Sequence, residues 1–149
     1  MSKIKFTGGI IRMLEFIYGK NKLDKKLLEL NQLPKGTVGF EVSKLILQNN
    51  YRLIPKFENH DLKHLVLEYE MTIKDELKMQ AYLIGNGNHT AACLIFFSFV
   101  IFYPSIWRNL YHEFNHGKKS KSIHFLTLEN CKNLQLSEIK KEYGKTRLK

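Results

Sequence analysis

His60 and His64 stand four residues apart, Asp61 follows the first of them, and Glu76 lies twelve positions beyond the second. Imidazole nitrogens and carboxylate oxygens are the donors a divalent ion such as zinc takes. A four-residue spacing puts both rings on one helix face. Asp61 falls about 100° round from His60 with His64 between them, so all three open into one cleft. In the first turn of its helix, His60 feels the positive helix end, which favours the neutral imidazole a metal requires. On one continuous helix Glu76 would lie about 18 Å from His64 and could not share its ion. A reversal at Met71-Thr72 brings it back level. Thr72-Ile73-Lys74-Asp75 supplies the signal for one: a capping box with Asp75 in the slot usually filled by Glu or Gln.

The same residues also fit a structural role. Leu62, Leu65, Val66 and Tyr69 cluster opposite His60, Asp61, His64 and Glu68, the pattern of an ordinary helix with a solvated polar face. Glu76 points the other way. With Gln80 it sits among Ile73, Leu77, Met79, Leu83 and Ile84, where a carboxylate needs a compensating cation or hydrogen bonds. No glutamate follows His60, so the HExxH protease pattern is absent. A Ser/His/Asp triad, a phosphate-cradling glycine loop and a dinucleotide fingerprint are absent too. His89, His112, His116 and His124 read as surface or core histidines.

The elements that must position these residues are helical. Ile10, Ile11, Leu14 and Ile17 mark an amphipathic helix, and Leu23, Leu27, Leu28 and Leu30 a second one ending before Leu33-Pro34-Lys35-Gly36. Val38, Val42, Leu45 and Ile46 mark a third, stopped near Asn49-Asn50. Asn59, a good N-cap, opens a fourth that runs through Glu70. A fifth spans Ile73 to about Ile84 and ends at Gly85-Asn86-Gly87. The most apolar stretch, Ala91 to Tyr103, would span roughly 20 Å as a helix, short of a ~30 Å hydrocarbon core. It reads as a buried helix or a pocket wall, with Phe96, Phe97, Phe99, Phe102 and Trp107 as core or pocket lining. Ser105 to Asn115 is a seventh helix, Gly117 to Lys121 a basic loop, and Leu134 to Tyr143 a last amphipathic segment. No alternating strands and no internal repeat occur. The expected fold is all-α: one domain over 1–149, a bundle of about six to eight helices with the metal site at an antiparallel helix hairpin.

The chain has 149 residues, enough for one domain with a sizeable core. Lysine and arginine number 24 against 14 aspartates and glutamates, a formal charge of +10. That excess favours an anionic partner. Residues 117–149 carry nine of the basic residues and three glutamates. No aromatic interleaving or nucleic-acid module accompanies them, so a solvated or membrane-surface role is expected and nucleic acid is not. Two cysteines, Cys93 and Cys131, exclude a disulfide scaffold, and Cys93 reads as a small buried hydrophobe. The N-terminus, interrupted by Arg12 and Glu15, does not read as a secretory signal.

The string His60-Asp61-x-x-His64, eleven residues, Glu76 resembles the signature of the Coq-four family of ubiquinone (coenzyme Q) biosynthesis proteins. Leu33-Pro34-Lys35-Gly36-Thr37-Val38-Gly39 is similar to that family's segment ahead of the motif. Ile54-Pro55 before His60-Asp61 fits as well, as does Gln80 four after Glu76. Gln135-Leu136-Ser137-Glu138-Ile139-Lys140-Lys141-Glu142-Tyr143-Gly144 is similar to its closing helix. The resemblance covers 33–144. One departure is Asp75, where the family commonly has glycine before the glutamate.

The resemblance implies an all-helical fold and a divalent metal, usually zinc, held by His60, Asp61, His64 and Glu76. It implies a polyprenylated ring intermediate or another isoprenoid lipid as ligand, with the helix from Ala91 to Tyr103 lining a slot for the tail. It implies peripheral membrane association and contact with other biosynthetic enzymes. Family members are credited with replacing the ring carboxyl at C1 by a hydroxyl, which would make this chain a metal-dependent oxidative decarboxylase. A non-catalytic lipid-binding scaffold of a membrane-associated biosynthetic complex is the alternative, and a homo-oligomer is among the expected assemblies. The short chain without an evident mitochondrial extension suggests a bacterial member, in the cytoplasm on the inner face of the membrane.

Overall fold

The computed structural model describes residues 20–49, 53, 58–89 and 99–145. Among these are seven α-helices: α1 (Lys20–Asn31), α2 (Val38–Gln48), α3 (Glu58–Leu67), α4 (Ile73–Gly85), α5 (Trp107–Lys119), α6 (Leu128–Cys131) and α7 (Leu136–Tyr143). Two 3-10 turns, Phe99–Phe102 and Pro104–Ile106, precede α5. The described residues contain no strand beyond an isolated bridge between Thr37 and Gln135. The all-α expectation holds. The expected helix over Ile10 to Ile17 lies outside the described residues, as do Cys93, Ile54-Pro55 and most of Ala91 to Tyr103.

The chain divides into two compact units, one of 1–62 with 127–136 and the other of 63–126 with 137–149. In the first, Pro34 and Gly36 turn the chain from α1 into α2. Gly36 has φ +84°, a left-handed backbone that glycine takes at least cost. Thr37 then caps α2, its hydroxyl accepting from the Phe40 amide at 3.4 Å. The N–H groups that open α2 have no partner within the helix. Val38 donates to the Leu134 carbonyl and Gly39 to that of Lys132, both at 2.9 Å. The segment after α6 thus closes the start of α2. A Cβ on Gly39 would stand 2.5 Å from the Leu33 side chain and 3.1 Å from the Lys132 carbonyl oxygen, so a larger residue there would have to displace Leu33. Leu30, Val38, Val42, Ile46, Leu53, Leu62, Leu128 and Cys131 are the buried apolar residues of this unit.

Asn59 lies inside α3 rather than capping it. Its side-chain oxygen accepts from the Leu128 amide at 2.8 Å and holds the start of α6 instead. The fourth helix also stops three residues earlier than expected, at Leu67. Glu68 turns left-handed there (φ +58°), which ends the helix and starts the reversal.

In the second unit, α4 begins as expected. Thr72 accepts from the Asp75 amide at 3.2 Å, while the Asp75 carboxylate takes Lys78 at 2.8 Å. Helices α4 and α5 come into backbone contact at two glycines. A Cβ on Gly85 would lie 2.1 Å from the Phe114 carbonyl oxygen, and one on Gly117 would lie 2.0 Å from that of Tyr82. Gly117 is therefore helical and buried, and α5 continues to Lys119 through what reads in sequence as a basic loop. Leu77, Ala81, Ile106 and Leu110 form one core cluster of this unit, with Val100 and Tyr103 packed on it. Buried Asn86 ties the far end: its amide donates to the carbonyls of Gly117, Ser120 and Lys121, and its oxygen accepts from Ile123. Phe102 and Trp107, expected as lining, are instead 73% and 52% exposed.

Candidate metal centre

The reversal over 68–72 brings α4 back beside α3, so that His64 and Glu76 meet despite their separation in sequence. His64 Nε2 stands 3.0 Å from Glu76 Oε2. The imidazole is 3% exposed, which excludes the solvated-face reading of this histidine. On the same continuous helix, one turn earlier, half-buried His60 offers a third ligand atom. One atom each from His60, His64 and Glu76 lie within 4.8 Å of one another. Asp61, next to His60, is half-buried and is not in this group. The three residues that converge are thus three of the four expected.

The surroundings fix how these groups present their lone pairs. Nδ1–H of His64 donates to the Tyr69 carbonyl at 3.1 Å. That bond commits the proton to Nδ1 and leaves Nε2 for a ligand, the arrangement metal-binding histidines ordinarily have. A carboxylate oxygen and an imidazole lone pair are both acceptors. At 3.0 Å they require a cation between them, either a proton or a metal ion. The other Glu76 oxygen accepts from Gln80 Nε2 at 2.6 Å, which orients the carboxylate. Gln80 is 2% exposed and its Oε1 is buried with no partner among the described residues. A buried acceptor beside the acidic ligand suits a donor such as a bound water or a ligand hydroxyl. Two imidazoles and one carboxylate are a donor set that zinc or another borderline divalent ion accepts.

A polar network behind His64 was not legible in the sequence. Tyr69 reads there as one of the apolar residues of its helix. Its ring is buried, yet its hydroxyl donates to Glu113 Oε2 at 2.7 Å. Burial, reinforced by the Glu113 carboxylate, pushes the phenol well above its ordinary range, so it remains a neutral donor. Lys145 pairs with the second Glu113 oxygen at 2.8 Å and stands 4.2 Å from the centre of the Tyr69 ring. Of the remaining histidines, His116 packs edge-on against Tyr82 at 5.5 Å, a core role, and His89, His112 and His124 are exposed or surface residues as expected. Cys131 is buried, its thiol pushed up to about 11 by burial, and it donates to the Thr127 carbonyl.

No protein-family model matches the chain, and no curated protein matches it. A crystal structure at 2.85 Å of a protein from Nostoc punctiforme PCC 73102, provisionally named a ubiquinone biosynthesis protein, resembles it in fold. The TM-score is 0.59 at 17% identity, over 94% of this chain and 81% of that one. At that identity the likeness speaks for the fold.

Proposed function

We propose that this chain is a divalent-metal protein of ubiquinone or related prenylquinone biosynthesis, with His60, His64 and Glu76 as protein ligands. The observation that carries the metal is the pair of buried His64 and half-buried Glu76 at 3.0 Å, with the tautomer fixed by Tyr69. The pathway is supported by the fold shared with the Nostoc protein, by that protein's name, and by the Coq-four-like motif in which the three residues stand. Asp61 belongs to that motif but is not among the three residues whose ligand atoms converge.

Such an ion, when bound, supplies Lewis acidity toward a phenolic or carboxylate oxygen. The chain's own groups do the rest. Tyr69 and Gln80 aim the ligands, and the free Gln80 Oε1 accepts from a hydroxyl at the site. Both acid and phenol occur on a prenylated hydroxybenzoate. The expected partner surface is a membrane, for which the exposed large apolar side chains before and on α5 are the supporting feature: Ile101, Phe102, Trp107 and Tyr111. Among the described residues no helix is long and apolar enough to cross one.

The test is elemental mass spectrometry of untagged protein, wild type beside His64→Ala. Near-stoichiometric zinc, iron or manganese that disappears in the variant supports the reading. Incubation of the loaded protein with a prenylated hydroxybenzoate under oxygen then separates an enzyme from a scaffold: the enzyme releases carbon dioxide and yields the C1 hydroxyl product, with water as the source of the hydroxyl and dioxygen taking the two electrons to give hydrogen peroxide. A folded protein that takes up no ion overturns the metal reading.

A further inference from the structure

Glu68 and Tyr69, the two residues between α3 and the turn into α4, are held from outside their own hairpin. The Glu68 carboxylate meets Lys140 of α7 at 2.8 Å. The Tyr69 hydroxyl meets Glu113 of α5, and Lys145, two residues after α7, binds Glu113 while covering the Tyr69 ring. The Tyr69 carbonyl is the acceptor of His64 Nδ1–H. Glu68 has the only left-handed backbone of any non-glycine residue among those described. A non-glycine residue keeps that conformation where its surroundings over-determine it.

We infer that residues 137–145, acting through Glu113 and Tyr69, are a positioning clamp for the His64 imidazole. Lys140 pairs with Glu68 and Lys145 with Glu113, neither of them a candidate ligand. They hold the peptide whose carbonyl sets the direction and tautomer of His64. A partner of hydrogen-bonding character behind a ligating imidazole is worth roughly 10–100-fold in metal affinity when removed. The clamp here is one shell further out, so its loss acts by letting the Tyr69 carbonyl move rather than by deleting it. Lys145 is the informative position because its cation serves Glu113 and the Tyr69 ring together.

The inference rests on the metal reading for its affinity arm and stands without it for its geometric arm. The experiment uses the full chain as wild type, Tyr69→Phe, Lys145→Ala and Lys145→Arg, each checked for cooperative melting. The first readout is the imidazole 15N–1H NMR spectrum of the metal-free protein, with the His64 signals identified by their loss in His64→Ala. Wild type shows a protected Nδ1–H. Tyr69→Phe and Lys145→Ala are expected to broaden or shift it, and Lys145→Arg to restore it. The second readout is cobalt(II) titration, where the first two variants should bind about tenfold more weakly and Lys145→Arg should match wild type. Folded variants with an unchanged His64 signal overturn the clamp, whatever the metal does. A chain that binds no cobalt in any form overturns the metal reading, and the NMR comparison then decides the clamp alone. Should Tyr69→Phe fail to melt cooperatively, the Lys145 pair carries both readouts.

Discussion

His64 Nε2 and Glu76 Oε2 face each other at 3.0 Å across the α3–α4 reversal, in a site where the histidine is all but closed to solvent. Removing any one of the three converging side chains takes a donor atom away from the ion. Metal content is therefore expected to vanish in His60→Ala, His64→Ala and Glu76→Ala and to survive in Asp61→Ala, which lies outside the converging trio. Gln80→Leu should retain the ion but bind it roughly 10–100-fold more weakly, because it frees the Glu76 carboxylate. Elemental analysis and cobalt titration of the five proteins check the order. Loss of the ion in Asp61→Ala alone would restore Asp61 as a ligand.

Gly117→Ala tests the seam between α4 and α5. In a helix interior alanine is ordinarily better than glycine by about 1 kcal/mol. Here the added Cβ would lie 2.0 Å from the Tyr82 carbonyl oxygen, and the nearest atoms are backbone that cannot swing aside. The sign reverses. Destabilisation of roughly 1–3 kcal/mol is expected, a fall in Tm of several degrees by thermal denaturation. An unchanged or higher Tm would mean that the two helices approach less closely.

The motif was legible because it is local. His60 and His64 share one helix face, and the Thr72 cap announces the start of the helix that returns Glu76. The hairpin, the α2 start at Thr37-Val38 and the α4 boundaries follow from the same nearest-neighbour chemistry. What the sequence hides is set by distant chain. Asn59 looks like an N-cap until the Leu128 amide claims it, and Gly117 looks like a loop until α4 needs its missing side chain. Tyr69 counts as apolar in a helical wheel, whereas its hydroxyl finds Glu113 44 residues away. A periodicity argument has no access to such partners.

Trp107 offers a direct test of membrane contact, since it is the only tryptophan in the chain. It is half exposed, its indole N–H donating to the Val100 carbonyl at 3.0 Å. Tyr111 lies one turn on, and Lys118 falls on the same stripe of α5, an aromatic face followed by a cation. Such a face suits the headgroup boundary of an anionic bilayer. Tryptophan emission should shift to the blue on addition of vesicles with anionic lipid. The effect should weaken at high salt, where surface electrostatics are screened, and the protein should no longer sediment with vesicles when Trp107 and Phe102 are both changed to serine. Emission that ignores the vesicles would remove this face as the membrane surface.

Stability should hold through neutral pH and fall on the alkaline side. Burial raises the phenols of Tyr69 and Tyr82 above their ordinary value and lifts the Cys131 thiol from 9.0 to about 11. Each folded pKa lies above its unfolded one, so folding favours the protonated form. That contribution is whole below the unfolded pKa and is lost as pH rises toward the folded one. For Cys131 the window is pH 9 to about 11, and the loss amounts to roughly 2 kcal/mol. For the tyrosines it opens near pH 10. Melting temperature followed from pH 7 to 11 should stay level to about 9 and then decline, and Cys131→Ala should reduce the slope between 9 and 11. Equal slopes in wild type and variant would show that the thiol ionises in the folded protein as it does in the unfolded chain. The same burial makes native Cys131 slow toward thiol reagents at pH 8, with rapid labelling expected only in denaturant.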